Sequence, residues 1–288
     1  MNYTIGIDLG ATNVRAGVVS EDGEVEKKIK ERTSTPDRLG DFIAPLVSEK
    51  ILAVGLGSPG PLDLEKGIIL KETPNLVAFR GVGIVELLKN MFNLPVFLER
   101  DTNVALLGEA WKGAAQDKKN VVMLTLGTGV GGAILLDGKL FRGSHAVGAE
   151  FGHTIIDKDG PKCRCGNRGD LESYLGLAAV RRDWGLDHWD LIEAVRKKDQ
   201  KALMITQKLG EYLGIELANI VNTFDPELII LGGGLAEELG LPLLEAAKGK
   251  MTEEIIAKPP KVEVVISKLG DNAGIFGAAK LAFEKLKS

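Results

Sequence analysis

Three glycine clusters, at Gly10, at Gly127 to Gly129 and at Gly232 to Gly234, each follow an apolar run that reads as a strand. Such turns point several backbone N–H groups into one concave space, which suits phosphate. Glycine is needed there because a Cβ would block the approach. Two of the clusters carry a threonine, Thr12 and Thr128, and the first also carries Asp8. A carboxylate at a strand end suits Mg2+ held through water. No cluster has the Lys-Ser or Lys-Thr pair of a P-loop. None has the G-x-G-x-x-G dinucleotide pattern either, since Gly127-Thr128-Gly129-Val130-Gly131 feeds a strand.

Two other groups of residues could do chemistry. Asp101 falls where a strand gives way to a helix, so it either caps that helix or serves as a fixed base. Position alone leaves both open. Cys163 and Cys165 are only two positions apart, and a disulfide across one residue is strained. A metal or free thiols fit the pair better.

The elements that must position these residues follow from the apolar spacing. Strands are predicted at Tyr3 to Asp8, Val14 to Ser20, Leu52 to Gly57, Pro95 to Leu98, Val121 to Leu126, Val130 to Leu136, Leu228 to Leu231 and Val262 to Ile266. Helices are predicted from Pro36, over Val82 to Phe92, from Asp101 to Trp111 with Asp101 near the N-cap, over Lys201 to Phe224, and over Asn272 to Leu286. Trp111, Trp184 and Trp189 lie in helical segments and are expected to pack. The opening unit repeats: Leu9-Gly10 matches Leu126-Gly127, and the turn at Asp22-Gly23 matches Asp137-Gly138. The repeat points to two similar α/β domains.

Length and composition bound the rest. A chain of 288 residues exceeds one typical core, so two domains are expected. Apolar residues make up 44% and charged residues 26%, which excludes a disordered chain. With 36 basic against 40 acidic residues the net charge is −4, without the basic excess of a nucleic-acid binder. Asp8 interrupts the first apolar run and no basic region precedes it, and no apolar stretch reaches the ~20 residues of a membrane span. The expected setting is the cytoplasm.

The strand–Asp8-Leu-Gly-Ala-Thr12 turn, the Gly127-Thr128-Gly129 turn and the late Gly232-Gly233-Gly234 turn resemble the superfamily of sugar kinases, actin and heat-shock ATPases. Within it the sequence resembles the ROK (repressor, open reading frame, kinase) family over nearly its whole length. The further residues carrying this are Gly55-Leu-Gly-Ser-Pro-Gly60, Glu99-Arg-Asp101-Thr-Asn103, Glu150-Phe-Gly-His153 and Cys163-Arg-Cys-Gly-Asn-Arg-Gly-Asp-Leu-Glu172.

The resemblance implies two mixed-sheet α/β domains of the actin-like ATPase (ribonuclease H-like) type with a cleft that closes on sugar. The first domain is expected over 1–113, completed by the helix at 272–288, and the second over 114–271. The implied activity is ATP-dependent phosphorylation of a hexose, glucose above all. Asp101 aligns with the family's general base. Glu150, His153 and Glu172 align with sugar ligands, and Asn103 with a position that binds sugar or supports the site. Asp8, Gly10, Thr12, Gly127, Thr128 and Gly129 would hold the phosphates with Mg2+, and Gly232, Gly233 and Gly234 would lie along the adenosine. The family's zinc site has one His and three Cys. Here His153, Cys163 and Cys165 match, and Asp170 stands at the third Cys position, a set zinc accepts.

One departure concerns the sugar. The family has Asn before the base, and this chain has Arg100, which is longer and only donates. It can turn away, pair with an acid, or reach an anionic or differently shaped substrate. The alternatives are therefore a kinase for N-acetylmannosamine, N-acetylglucosamine, fructose or allose, and a non-catalytic sugar-binding regulator. The family's repressors carry a helix-turn-helix ahead of the first phosphate turn, and Asp8 leaves no room for one here. Polyphosphate is an alternative donor, and a homodimer is the expected assembly.

Overall fold

The structure is a computed structural model that describes residues 2–71, 73 and 76–287. In chain order the strands are β1 (Tyr3–Leu9), β2 (Asn13–Ser20), β3 (Val25–Arg32), β4 (Ile51–Ser58), β5 (Leu62–Asp63), β6 (Ile68–Ile69), β7 (Val96–Arg100), β8 (Val121–Leu126), β9 (Val130–Leu136), β10 (Lys139–Leu140), β11 (Leu228–Gly232) and β12 (Glu263–Ile266). The helices are α1 (Pro36–Ile43), α2 (Ile84–Phe92), α3 (Asp101–Lys112), α4 (Glu172–Leu175), α5 (Leu177–Trp184), α6 (His188–Arg196), α7 (Gln200–Phe224), α8 (Gly234–Glu254) and α9 (Ala273–Leu286). They form two compact units: Met1–Asp117 with Asp271–Ser288, and Lys118–Gly270.

The first unit is built on a sheet of order β3-β2-β1-β4-β7. β1 pairs antiparallel with β2 and parallel with β4, which is itself parallel to β7. β4 buries seven of its eight residues, as expected of a central parallel strand covered on both faces. β3 is an edge strand, VEKKIKER, with charges that discourage pairing with another chain. On one face the core gathers Ile5, Ile7, Leu56, Leu88 and Phe79. On the other, α9 lies directly on the strand backbone. A Cβ at Gly55 would stand 1.8 Å from the carbonyl oxygen of Ala278, so only glycine permits this approach.

α3 and α9 form an equally close pair. A Cβ at Gly277 would stand 1.5 Å from the Val104 carbonyl oxygen, and one at Gly108 would stand 2.2 Å from that of Ala273. Trp111 closes the far end of the seam, edge-on to Phe276 and Phe283.

The second unit repeats the arrangement, with sheet order β10-β9-β8-β11-β12. Again an antiparallel triplet is followed by two parallel strands, β11 and β12. The repeated sequence unit is thus a repeated topology. α7 buries Leu209, Leu213, Leu217 and Ile220 on one stripe, as the spacing predicts. α6 begins with a reciprocal cap between Asp187 and Asp190 and buries Leu191 and Ile192. Trp184 packs on this core, but Trp189 does not: it is 68% exposed.

Candidate active site

In the first unit the candidate residues sit at the carboxyl ends of the parallel strands, the edge where open α/β sheets take their ligands. Asp8 is the penultimate residue of β1, opposite Arg15 on β2 and in register with Gly57 on β4. The turn beyond it is closed by Gly10 N–H donating to the Asn13 carbonyl at 3.0 Å. It is pinned from β3's end by Thr33, whose hydroxyl donates to the Gly10 carbonyl at 2.7 Å and whose N–H donates to that of Thr12. Thr12 itself is exposed. The Asp8 side chain retains 20% of its surface, yet burial pushes its carboxyl up to about 6. Arg15 opposes that rise, and the charges of Asp101 and Asp271 add to it.

Asp101 lies at the start of α3. The residue flanking the helix is Arg100, which has extended backbone angles and no capping side chain, so Asp101 is the first helical residue rather than the cap. Its Oδ1 accepts from Thr102 N–H at 2.7 Å. Burial raises its pKa above the ordinary carboxylate range, against the Thr102 bond and the Arg100 charge. A raised carboxyl is a better proton acceptor, which is what deprotonating an alcohol needs.

Asn103 is fully inside. Its amide donates to Glu99 Oε1 at 2.9 Å, and the same oxygen accepts from Arg100 N–H. Asn103 therefore braces the β7–α3 turn from behind Asp101, and its Oδ1 is buried with no partner. Arg100 is also buried, 9% exposed.

In the second unit, Gly127 N–H donates to the Gly129 carbonyl at 2.9 Å and makes a tight turn after β8. Glu172, at the start of α4, reaches this turn: its Oε2 accepts from Val130 N–H at 2.9 Å. A Cβ at Gly129 would stand 2.3 Å from that oxygen, so glycine is what lets the carboxylate in. The sequence separates Glu172 from the turn by more than forty positions, and no local pattern signals this contact. Glu150 is exposed and opens the short helical turn Phe151–His153.

His153 Nδ1 lies 3.0 Å from Asp170 Oδ2, which also accepts from Cys165 Sγ at 3.2 Å. Cys163 Sγ is 4.0 Å from the same ring nitrogen. One donor atom from each of His153, Cys163, Cys165 and Asp170 falls within 4.8 Å of the others. Asp170 is buried, and its Oδ1 takes Ser173 N–H at 2.9 Å, which ties the group to α4 and Glu172. Burial works against its charge, but bonds from Cys163, His153 and Cys165 hold its pKa down. Burial and the Asp170 bond push the Cys163 thiol up to about 12. At the end of β11, Gly233 has a φ of 84° and donates its N–H to Glu237 Oε1 at 3.1 Å.

The repeated order, with a glycine turn after the first strand of each sheet, is the actin-like ATPase fold. The profile of the ROK family matches residues 4–285, and the chain belongs to that family. It is 35% identical over 314 residues to a glucokinase of Thermotoga maritima, covering 98% of each chain. A ROK family glucokinase of Streptomyces griseus, solved with glucose and AMPPNP, superposes with a TM-score of 0.85 at 32% identity, over 98% of this chain and 100% of that one. A ROK hexokinase of Thermus thermophilus superposes with a TM-score of 0.84 at 32% identity, over 99% and 100%.

Proposed function

We propose that this chain transfers the terminal phosphoryl group of ATP to the 6-hydroxyl of glucose. The observation that carries the reading is the pairing of Asp101 with Asp8 on one sheet edge, one a buried carboxyl of raised pKa and the other beside a glycine turn. Asp101 takes the hydroxyl proton as the oxygen attacks. Asp8 holds Mg2+ through water, and that ion, when bound, neutralises charge on the phosphates. Glycine turns Gly10–Thr12 and Gly127–Gly129 supply N–H groups to the phosphate oxygens, and Gly232–Gly234 flanks the adenosine. Positioning and charge neutralisation do most of the work in such a transfer. Glu150 and Glu172 accept from the sugar hydroxyls, and His153, with Nδ1 turned to the metal cluster, donates to one of them from Nε2. The similarity to glucokinases along the whole chain supports glucose as the acceptor. The test is a coupled kinase assay over a panel of hexoses and amino sugars. No turnover with any of them would leave a sugar-binding regulator.

Zinc is part of the same proposal. One nitrogen, two sulfurs and one carboxylate oxygen within 4.8 Å suit a tetrahedral ion. His153 Nδ1 faces the cluster, which leaves Nε2 for a sugar hydroxyl and fixes that tautomer. The role is structural: the ion clamps the loop that ends in Glu172. Protein expressed with ample metal is expected to carry about one zinc per chain by elemental analysis. Asp170→Cys should hold it longer against a chelator, since thiolate suits zinc better than carboxylate. Metal-free protein from such an expression would refute this.

Arg100 is the residue most suited to alter sugar choice, because a buried donor stands where the family has Asn. Arg100→Asn is expected to change the ratio of kcat/KM between glucose and a second accepted sugar by roughly tenfold. An unchanged ratio across the panel would place Arg100 outside the sugar site.

A further inference from the structure

Arg15 reaches in two directions. Its Nη1 donates to Asp8 Oδ2 at 3.3 Å and its Nη2 donates to Asp271 Oδ1 at 2.6 Å. Its Nε is buried with no partner, so the guanidinium acts through its two ends alone. Asp271 is held from a second side by Lys30 of β3, at 3.4 Å, and the neighbouring Asn272 accepts from Lys28. Asp271 and Asn272 form the turn that leads into α9. Three residues on, Gly274 backs onto Asp8: a Cβ there would stand 2.7 Å from the Asp8 carboxyl carbon. The same end of α9 meets α3, the helix that Asp101 opens, through Ala273, Gly277, Gly108 and Val104. One helix end thus touches the Asp8 side chain and the Asp101 helix, and basic residues of β2 and β3 fasten it.

We propose that Arg15 and Asp271 form a clamp that positions the Asp8 carboxylate for the magnesium-bound phosphates of the donor, and that Asp271 acts on the reaction only through Arg15. The inference rests on the kinase reading above. Arg15 occupies Oδ2 and leaves Oδ1, which has no partner among the described residues, to a metal-bound water. Planar guanidinium is suited to joining two carboxylates along fixed directions, and lysine is not. Residues that orient a metal-associated ligand from outside typically matter by about 10–100-fold in affinity or activity. Since Asp271 is half exposed, the lower end applies.

The test is calorimetric titration with AMPPNP, once with magnesium and once with EDTA. Asp271→Ala is expected to weaken the magnesium complex about tenfold and the metal-free nucleotide by less than about twofold. Glucose affinity should hold, and Asp271→Glu should restore most of the loss. Arg15→Lys should lose as much as Asp271→Ala, and the double variant no more than either, because both remove one clamp. Equal losses with and without magnesium, or none, would overturn the clamp; so would a parallel fall in glucose affinity. The kinase reading fails separately, by absence of turnover in the wild type, and the two titrations still decide the clamp.

Discussion

Asp101→Asn protein should bind sugar normally and turn it over 10²–10⁴-fold more slowly, the usual worth of a general base. The substitution keeps the size of the side chain and an oxygen for Thr102 N–H. It removes the only function in question, proton acceptance. Loss of an interaction made in the transition state appears in kcat, with ground-state binding intact. A purely structural role at the start of α3 predicts little change, since Asn keeps an oxygen for Thr102 N–H. The pH profile gives a second reading. Burial raises the Asp101 pKa, so the protonated, inactive form accumulates as pH falls through a value above the ordinary carboxylate range. The acid limb of the wild-type kcat should lie correspondingly high, and the residual activity of Asp101→Asn should lack it. A variant within a few-fold of wild type would remove the base from the proposal. Calorimetry with sugar on the same protein separates a lost base from a lost fold.

Gly277→Ala should be among the most damaging single-methyl additions in the chain. Its Cβ would sit 1.5 Å from a backbone oxygen of Val104 and 2.8 Å from the Gly108 nitrogen, and neither can rotate away. The α3–α9 seam must open, which moves the helix that carries Asp101. Overpacking typically costs about 1–3 kcal/mol, and a backbone clash lies at or beyond the top of that range. The methyl's own gain in helix propensity, about 0.5–1 kcal/mol, offsets only part. For a chain of this size the melting temperature should fall by roughly 6–12 °C. Gly249→Ala on α8 is the control, since nothing lies within 4 Å of its Cβ. It should be neutral or slightly stabilising. A Gly277→Ala protein that melts within about 2 °C of wild type would mean that the helices are not so closely packed.

Much of the scaffold was legible in the residues. Apolar runs ended by glycine marked β1, β4, β8 and β11, because a buried strand with a parallel neighbour is apolar on both faces and its turn needs glycine. The long stripe of α7 and the start of α3 could be read from spacing. So could the repeat of one topology, since each copy kept its strand–turn–strand pattern. α8 could not. Gly234, Gly240, Pro242 and Gly249 argue against a helix there, and Gly240 indeed departs from helical angles, with φ 53° and ψ −131°. Packing decides it: Gly210 and Gly214 of α7 admit the α8 backbone and Ala246, so tertiary contact overrides weak local propensity.

The site divides in the same way. Residue types at short spacing identified Asp8 with its turn and the Cys163–Cys165 pair, because those chemistries are local. Family pattern, not spacing, brought in His153, Asp170 and Glu172. Only the fold could place Asp170 against His153, Glu172 against Gly129, and Asp271 against Arg15, contacts that span 17, 43 and 256 positions. The reason is physical. A side chain's periodicity reports which face it shares with its neighbours, whereas the partner of a buried charge is chosen by how distant strands and helices pack, and no local pattern records that choice.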